Sequence, residues 1–310
     1  MSFVHLHTHT HYSFLAGLGT PKKLVHKALE LGMKSVALTD SGNLYGAFEF
    51  YKYAKEAGVQ AIIGVECTIA SKGRKNRDKD NHEYQIVLLA KNFTGYQNLI
   101  QIVTESYLTG FYFKARIDFE LLEKYSDSLI ALSGNHLGEI SQHITTGKSD
   151  AYIQERLNYY TGLFGQDHFY LELIEHPDRG NQGKINDGCI RLSRTYGVPL
   201  VATNDVFYMT SEDAEAQDLL ACISDGRSIE DPDRPTLIEG NYSLRSPEEM
   251  AELFSYIPEA LKNTEKIAAM IHLEIPYGKT LIPTFELSPE VRTKYETYLT
   301  QIPSGCLKLD

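Results

Sequence analysis

Apolar runs of four to eight residues alternate along this chain with longer segments whose apolar positions recur every three or four residues. The first run, Phe3 to Leu6, reads as a β-strand. Thr20-Pro21 then supplies a capping hydroxyl and a proline at the first helical position. Leu24, Val25, Ala28 and Leu29 give that helix one apolar stripe, and Gly32 closes it. Ser35 to Thr39 predicts a second strand, Tyr45 to Ala57 a helix ended by Gly58, and Gln60 to Ile63 a third strand. This βαβαβ pattern with short connections predicts parallel strands and right-handed crossovers. It breaks at Cys67 to Ala70 and Tyr84 to Leu89, which read as strands around a basic loop. It resumes with strands at Leu129 to Leu132, Phe169 to Leu173 and Leu200 to Ala202, and helices at Asp150 to Leu163 and Lys184 to Tyr196.

About seven strands with helices between them predict an α/β chain over residues 1–210 and suit a distorted, TIM-like (β/α) barrel better than an open doubly wound sheet. Beyond Asp205 the character changes. Asp213 to Ser224 reads as a helix, followed by a polar, proline-bearing stretch through Pro235. Ser246-Pro247-Glu248-Glu249 carries a capping box, and Pro258 to Met270 is a further helix. Residues 211–275 therefore read as a short helical C-terminal extension. The last residues, Leu287 to Asp310, end without a clear stop, as if cut from something longer.

The bulk numbers narrow the classes. A chain of 310 residues with 42% hydrophobic content can bury an ordinary core as one large domain plus an appended piece, or as two domains. It has no apolar run of about 18 residues, so no membrane span is expected, and its N-terminus lacks the pattern of a signal peptide. The four cysteines, Cys67, Cys189, Cys222 and Cys306, are scattered without a CxxC, which fits a reducing cytoplasm and argues against a disulfide framework or zinc ribbon. The formal net charge of −11 argues against a surface that grips nucleic acid by itself. The basic run Lys72, Arg74, Lys75, Arg77, Lys79, with Asp78 and Asp80 mixed in, reads as a solvated hairpin loop.

The candidate chemistry starts with four alternating histidines, His5, His7, His9 and His11. Residues two apart on a strand share a face, so the run aims several imidazoles at one place. His7 and His9 sit at the end of the first strand, Glu66 just past the third, and Asp205 at the end of Val201-Ala202-Thr203-Asn204-Asp205. In a barrel these strand ends share one rim. Two imidazoles and two carboxylates there form a set that balances a divalent cation, leaves room for water and suits attack on a phosphoester. Asp40 ends the second strand and reads as a loop cap rather than a ligand. His136 and His143 read as surface residues on a helix. His82, His168, His176 and His272 are isolated and read as surface or hydrogen-bonded residues. Asp231-Pro232-Asp233 reads as a turn. No GxxxxGK[ST] phosphate loop and no GxSxG elbow occur.

The run from His5 to Ser13 resembles the opening of the polymerase and histidinol phosphatase (PHP) domain at the N-terminus of bacterial DNA polymerase III alpha subunits. Further stretches resemble that family in order and spacing: Ala37 to Gly46, Phe93 to Leu99, Ala131 to Gly134, Val201 to Asp205, Ser246 to Met250 and Asn263 to Ala268. The resemblance implies a distorted (β/α)7 barrel with nine ligands for up to three metals, and in some members removal of 3′ nucleotides. Four of those positions keep a ligand here: His7, His9, Glu66 and Asp205. Five do not, being Ala16, Ser41, Gln85, Asn135 and Phe207. The resemblance thus implies at most one divalent metal (Zn, Mn or Fe) and weak or absent phosphoesterase activity. His11 either lends a nitrogen or caps its loop, and the retained residues form either a one-ion centre or a metal-free polar cluster.

The family also implies a DNA-directed DNA polymerase whose Mg-dependent catalytic aspartates lie in the palm, outside this stretch. Its partners would be the rest of the polymerase chain, DNA through the full-length protein, a proofreading exonuclease and other replisome subunits. The rival expectations are a free-standing metal-dependent phosphoesterase and a docking domain without metal.

Overall fold

A computed structural model describes residues 3–176, 179–231, 234, 236, 238–278 and 288–300. The strands among them are β1 (Ser35–Leu38), β2 (Gln60–Ala70), β3 (Glu83–Ala90), β4 (Arg116–Ile117), β5 (Leu129–Leu132), β6 (Phe169–Ile174) and β7 (Leu200–Thr203). They form one sheet in the order β1-β2-β3-β5-β6-β7, with β4 beside the far half of β2. The pairs β1–β2, β5–β6 and β6–β7 are parallel, whereas β3 runs antiparallel to both β2 and β5. The break in the sequence alternation is this antiparallel hairpin.

Two strand expectations need correction. Gln60–Ile63 and Cys67–Ala70 belong to one strand of 11 residues, β2. Its first four residues pair with β1 and the rest with β3, so Glu66 lies inside a strand rather than past one. Phe3 to Leu6 forms no ladder. The segment instead makes single backbone bonds to both sheet edges: Ala37 N donates to His5 O at 2.9 Å, Val206 N to His7 O at 3.1 Å, and His9 N to Val206 O at 2.8 Å. It lies between β1 and the chain just after β7, and the sheet is accordingly curled as a half-barrel.

The helices are α1 (Pro21–Glu30), α2 (Ala47–Ala57), α3 (Phe93–Thr109), α4 (Phe119–Tyr125), α5 (Glu139–Thr145), α6 (Asp150–Phe164), α7 (Gln182–Tyr196), α8 (Ala214–Asp225), α9 (Pro247–Leu253), α10 (Pro258–Ala269) and α11 (Pro289–Thr300). The punctuation read from sequence operates as expected: Thr20 caps α1, and Ser246 and Glu249 make both bonds of a capping box on α9. The pattern did not reveal α3. Phe93, Ile100, Tyr107 and Leu108 lie on its exposed side, opposite Leu99 and Ile102, which blurs the 3.6-residue period.

Residues Met1–Glu274 form one compact unit, holding the sheet and α1–α10, and Ile275–Asp310 a second, holding α11. Within 276–310, residues 279–287 and 301–310 lie outside the described residues, as do Pro232 and Asp233 of the expected turn.

Strand alternation divides the core in two. Ile86, Leu88, Leu129, Ala131, Phe169 and Leu171 face one cluster, shared with α3, α4, α6 and α7. Val87, Leu89, Ile130, Leu132, Tyr170 and Val201 face the other, together with Val4, Leu6, Ile267 and Ala268. This second cluster is the barrel interior. α10 closes it where the parallel strands begin: Gln60 Nε2 donates to Ala268 O and Ile271 O, and Asn263 Nδ2 to Leu200 O. The opposite mouth is left for polar side chains.

Several side chains differ from expectation. His143 is buried on α5, and His136 is half-buried in the turn before that helix rather than on it. Both were expected at the surface; α6 and its Tyr152 cover the His143 ring. Arg74 of the basic loop is also buried, paired with Asp118 at 2.8 Å. Cys67, Cys189 and Cys222 are buried free thiols. No helix among the described residues is long and apolar enough to cross a membrane.

Glu139, buried at the start of α5, accepts from Arg156 Nε at 2.8 Å and Tyr160 OH at 2.6 Å. Burial pushes its pKa up, but bonds from His143, Arg156 and Tyr160 prevail and hold it below the ordinary value. Its stabilisation is therefore present above the unfolded pKa of about 4.3 and lost as pH falls through the folded value. Glu139→Gln should cost roughly 3 kcal/mol at pH 7. In urea unfolding, the gap between the two proteins should close below about pH 4.3.

Candidate metal centre

The chain bends at His7, and that bend sorts the four alternating histidines. His5 and His11 turn away from the centre. His5 Nε2 bonds Arg245 O at 2.9 Å, with burial depressing its pKa to about 4, and exposed His11 places Nδ1 3.0 Å from Gly19 O. His11 thus acts in its loop. Only His7 and His9 point to the barrel mouth. One ligand atom from each of His7, His9, Glu66 and Asp205 lies within 4.8 Å of the others, and all four residues are buried. His7 Nε2 is 3.3 Å from Glu66 Oε2 and 3.6 Å from Asp205 Oδ1, and His9 Nε2 is 3.4 Å from the same Asp205 oxygen.

Sequence reading missed Glu172. It shares the inner face of β6 with Tyr170, where strand alternation turns it into the mouth. Its Oε1 sits 2.7 Å from His7 Nδ1 and accepts from Thr203 Oγ1 at 2.5 Å. The available signal was a single acid within the apolar run Phe169-Tyr170-Leu171-Glu172-Leu173-Ile174. This carboxylate requires a proton on His7 Nδ1 and so presents Nε2 to the centre, the usual arrangement around a metal-ligating histidine.

His9 is fixed in the same sense by a hydroxyl. Ser13 Oγ donates to Asp40 Oδ1 at 2.7 Å, which spends its only proton. It can then only accept from His9 Nδ1, 3.0 Å away, so Nε2 of a neutral His9 carries a lone pair. That lone pair faces Asp205 Oδ1, and neither atom has a hydrogen-bond partner. Two buried acceptors facing each other repel unless a cation or proton lies between them. The donor set therefore fits a divalent ion. Asp40 performs the capping role read for it, accepting from Thr10 N, Thr10 Oγ1 and Ser13 Oγ. The loop it holds is tight enough that a Cβ on Gly17 would collide with the Thr10 carbonyl.

Charge dominates the electrostatics. For His7, burial pushes the pKa down, but Glu172 and then Asp205 outweigh it and hold the ring well above its ordinary value. For Asp205, burial pushes up, yet His7, His9 and Arg179 hold it far below the usual carboxylate range. Asp205 has a left-handed backbone, φ 47°, a conformation that Asp tolerates better than most residues. Its second oxygen, Oδ2, accepts from Asn135 Nδ2 at 3.0 Å and lies 3.5 Å from Arg179 Nη2.

Residues 5–176 match the sequence profile of the PHP domain. The chain belongs to the PHP family. Similar curated proteins of this PHP chain include DNA polymerase III subunit alpha of Borreliella burgdorferi, 40% identical over 96% of this chain and 26% of that protein. The same subunit of Treponema pallidum is 37% identical over 97% of this chain and 26% of its own length. That of Thermus aquaticus is 38% identical, covering 97% and 25%. The PHP chain spans about a quarter of the length of these relatives. A solved Bifidobacterium adolescentis protein, assigned as a metal-dependent phosphoesterase, aligns with a TM-score of 0.46 at 14% identity, over 66% of this chain and 87% of that one.

In this PHP domain, three of the five positions expected to lack a family ligand touch the cluster of His7, His9, Glu66 and Asp205. Ser41 Oγ donates to Glu66 Oε1 at 2.9 Å, Asn135 bonds Asp205, and Phe207 stacks on His9 with centroids 4.6 Å apart and planes 6° from parallel. Gln85 bonds Leu137 O through its backbone, and its side-chain oxygen is buried without a partner. Ala16 is half-buried in the loop after His9.

Without metal, the charged His7 stabilises the fold fully below the unfolded histidine pKa of about 6.5, and this is lost as pH rises through the elevated folded value. Glu172→Gln removes the leading support for that charge. In chelated protein, NMR titration of His7 should give a folded pKa lower in the variant than in wild type.

Proposed function

We propose that this chain is the PHP portion of a replicative DNA polymerase III alpha subunit, a DNA-directed DNA polymerase, and that its barrel serves mainly as a scaffold. The supporting observation is relatives of that name, 36–40% identical across about the whole of this chain. In this reading residues 1–210 are the barrel, 211–275 complete it, and 276–310 lead toward the polymerase palm, where Mg-dependent synthesis takes place. Its partners are the rest of the polymerase, DNA held by the full-length protein, a proofreading exonuclease and other replisome subunits. The setting is the cytoplasm.

Within the barrel, His7, His9, Glu66 and Asp205 would hold one divalent ion, Zn, Mn or Fe. The opposed acceptors on His9 and Asp205 support this, and Glu172 orients His7 for it. A bound ion would supply Lewis-acid polarisation of a phosphoester. The described residues, however, offer one compact set of ligands, with Phe207 against His9 and Asn135 on Asp205 where the family carries further ligands. Phosphoester turnover is accordingly weak or absent in this stretch.

The second reading, a PHP phosphoesterase or 3′–5′ exonuclease, draws on the same inward-facing His9 nitrogen. Hydrolysis of 3′-labelled DNA and of a generic phosphoester, with added Mn²⁺ or Zn²⁺, separates the two. Background rates are expected. Robust turnover abolished by His9→Ala would overturn the scaffold reading. Metal loss has a separate signature. An ion present at about 100 times its Kd stabilises the fold by about 2.7 kcal/mol. A chelator should therefore lower the melting temperature by a few degrees, and an unchanged temperature would favour the metal-free cluster.

A further inference from the structure

We propose that Arg179, with Asn135, caps the outer oxygen of Asp205 and thereby confines this centre to a single divalent ion. The inference rests on the one-ion reading above and identifies the residues that enforce it. The two Asp205 oxygens have different surroundings. Oδ1 faces the histidine nitrogens, 3.4 Å from His9 and 3.6 Å from His7, and has no hydrogen-bond partner. Oδ2 accepts from Asn135 at 3.0 Å and faces the Arg179 guanidinium at 3.5 Å. A carboxylate that bridges two cations with one oxygen on each needs both oxygens open. Here the second oxygen already has an amide and a cation.

The charges agree. Glu66, Glu172 and Asp205 carry three negative charges in contact with the histidine pair. Ligating imidazoles are neutral. One divalent ion plus one guanidinium matches the three carboxylates, and a second divalent ion would leave an excess of two positive charges in a buried site. Asp40, one hydroxyl further out, is held by neutral donors.

The guanidinium is placed rather than incidental. Arg179 lies in the loop after β6, and its side chain is 16% exposed. Nε donates to Tyr242 OH at 2.9 Å, the guanidinium lies over the Tyr242 ring at 5.1 Å, and Nη1 bonds the His136 imidazole. Tyr242 is fully buried and stacks on buried His176, which bonds Asn204 O next to Asp205. Arginine geometry suits this role because a planar fork reaches tyrosine, histidine and carboxylate together.

The test is metal stoichiometry and affinity by calorimetry and elemental analysis on wild type, Arg179→Gln and Arg179→Lys, with Mn²⁺ and Zn²⁺ as probes. Thermal melting of the chelated proteins checks folding. Wild type should take up one ion. Arg179→Gln should bind its first ion about tenfold more tightly, since a like charge has left the site, and should accept a second, weaker ion. Arg179→Lys should keep wild-type stoichiometry. If Arg179→Gln folds and binds one ion with unchanged affinity, Arg179 does not restrict the centre and the proposal fails alone. If neither wild type nor Arg179→Gln takes up an ion, the one-ion reading fails and the proposal with it. Should Arg179→Gln not fold, Asn135→Ala replaces it: a second ion supports the cap, and an unchanged single ion overturns it.

Discussion

Compensation of buried charge across the seam of the curled sheet is the constraint on which the rest of the molecule depends. The segment carrying His7 and His9 lies between β1 and the chain beyond β7, joined to each by isolated backbone bonds rather than a ladder. Its two imidazoles face carboxylates from β2, from β6 and from the loop after β7. An uncompensated carboxylate at this depth costs several kcal/mol. Bringing the sheet edges together and neutralising those carboxylates are therefore one event. This explains how an irregular segment without a ladder holds a seam that would otherwise expose two strand edges.

The same strands serve two ends of the barrel. Where the parallel strands begin, α10 lays Ile267 and Ala268 into the interior, and Gln60 and Asn263 satisfy the backbone at the junction. That end is packed with apolar side chains and covered by α10. At the other end the inner-facing series Tyr170-Glu172 and Val201-Thr203-Asp205 turns from apolar to polar within two residues. The alternation that packs the interior also delivers Glu172 to His7.

Much of this was legible in the sequence, and the exceptions have identifiable causes. The strand and helix alternation gave the barrel because most elements bury one clean face. α3 escaped because it keeps apolar side chains on its solvent side, and the first strand was over-read because the histidine run obeys a two-residue period that the backbone abandons at His7. Glu66 and Asp205 were readable because one lies on an apolar strand and the other just past one, and His7 and His9 because they alternate along a single short run. Glu172 was not singled out, since a lone acid in an apolar strand carries no partner in sequence. Arg179 and Asn135 act through Asp205 across long loops, and no spacing rule connects them.

The left-handed backbone at Asp205 has one more consequence. Only a few amino acids occupy that region without penalty, chiefly glycine, asparagine and aspartate. Of these, aspartate alone bears a charge. Drift at this codon is therefore channelled: β-branched or bulky replacements meet steric resistance from the main chain itself, while the tolerated neutral ones silence the carboxylate and leave the path of the polypeptide intact. The backbone thus admits a neutral residue at this position without main-chain resistance, while the loss of charge falls on the compensation that holds the seam.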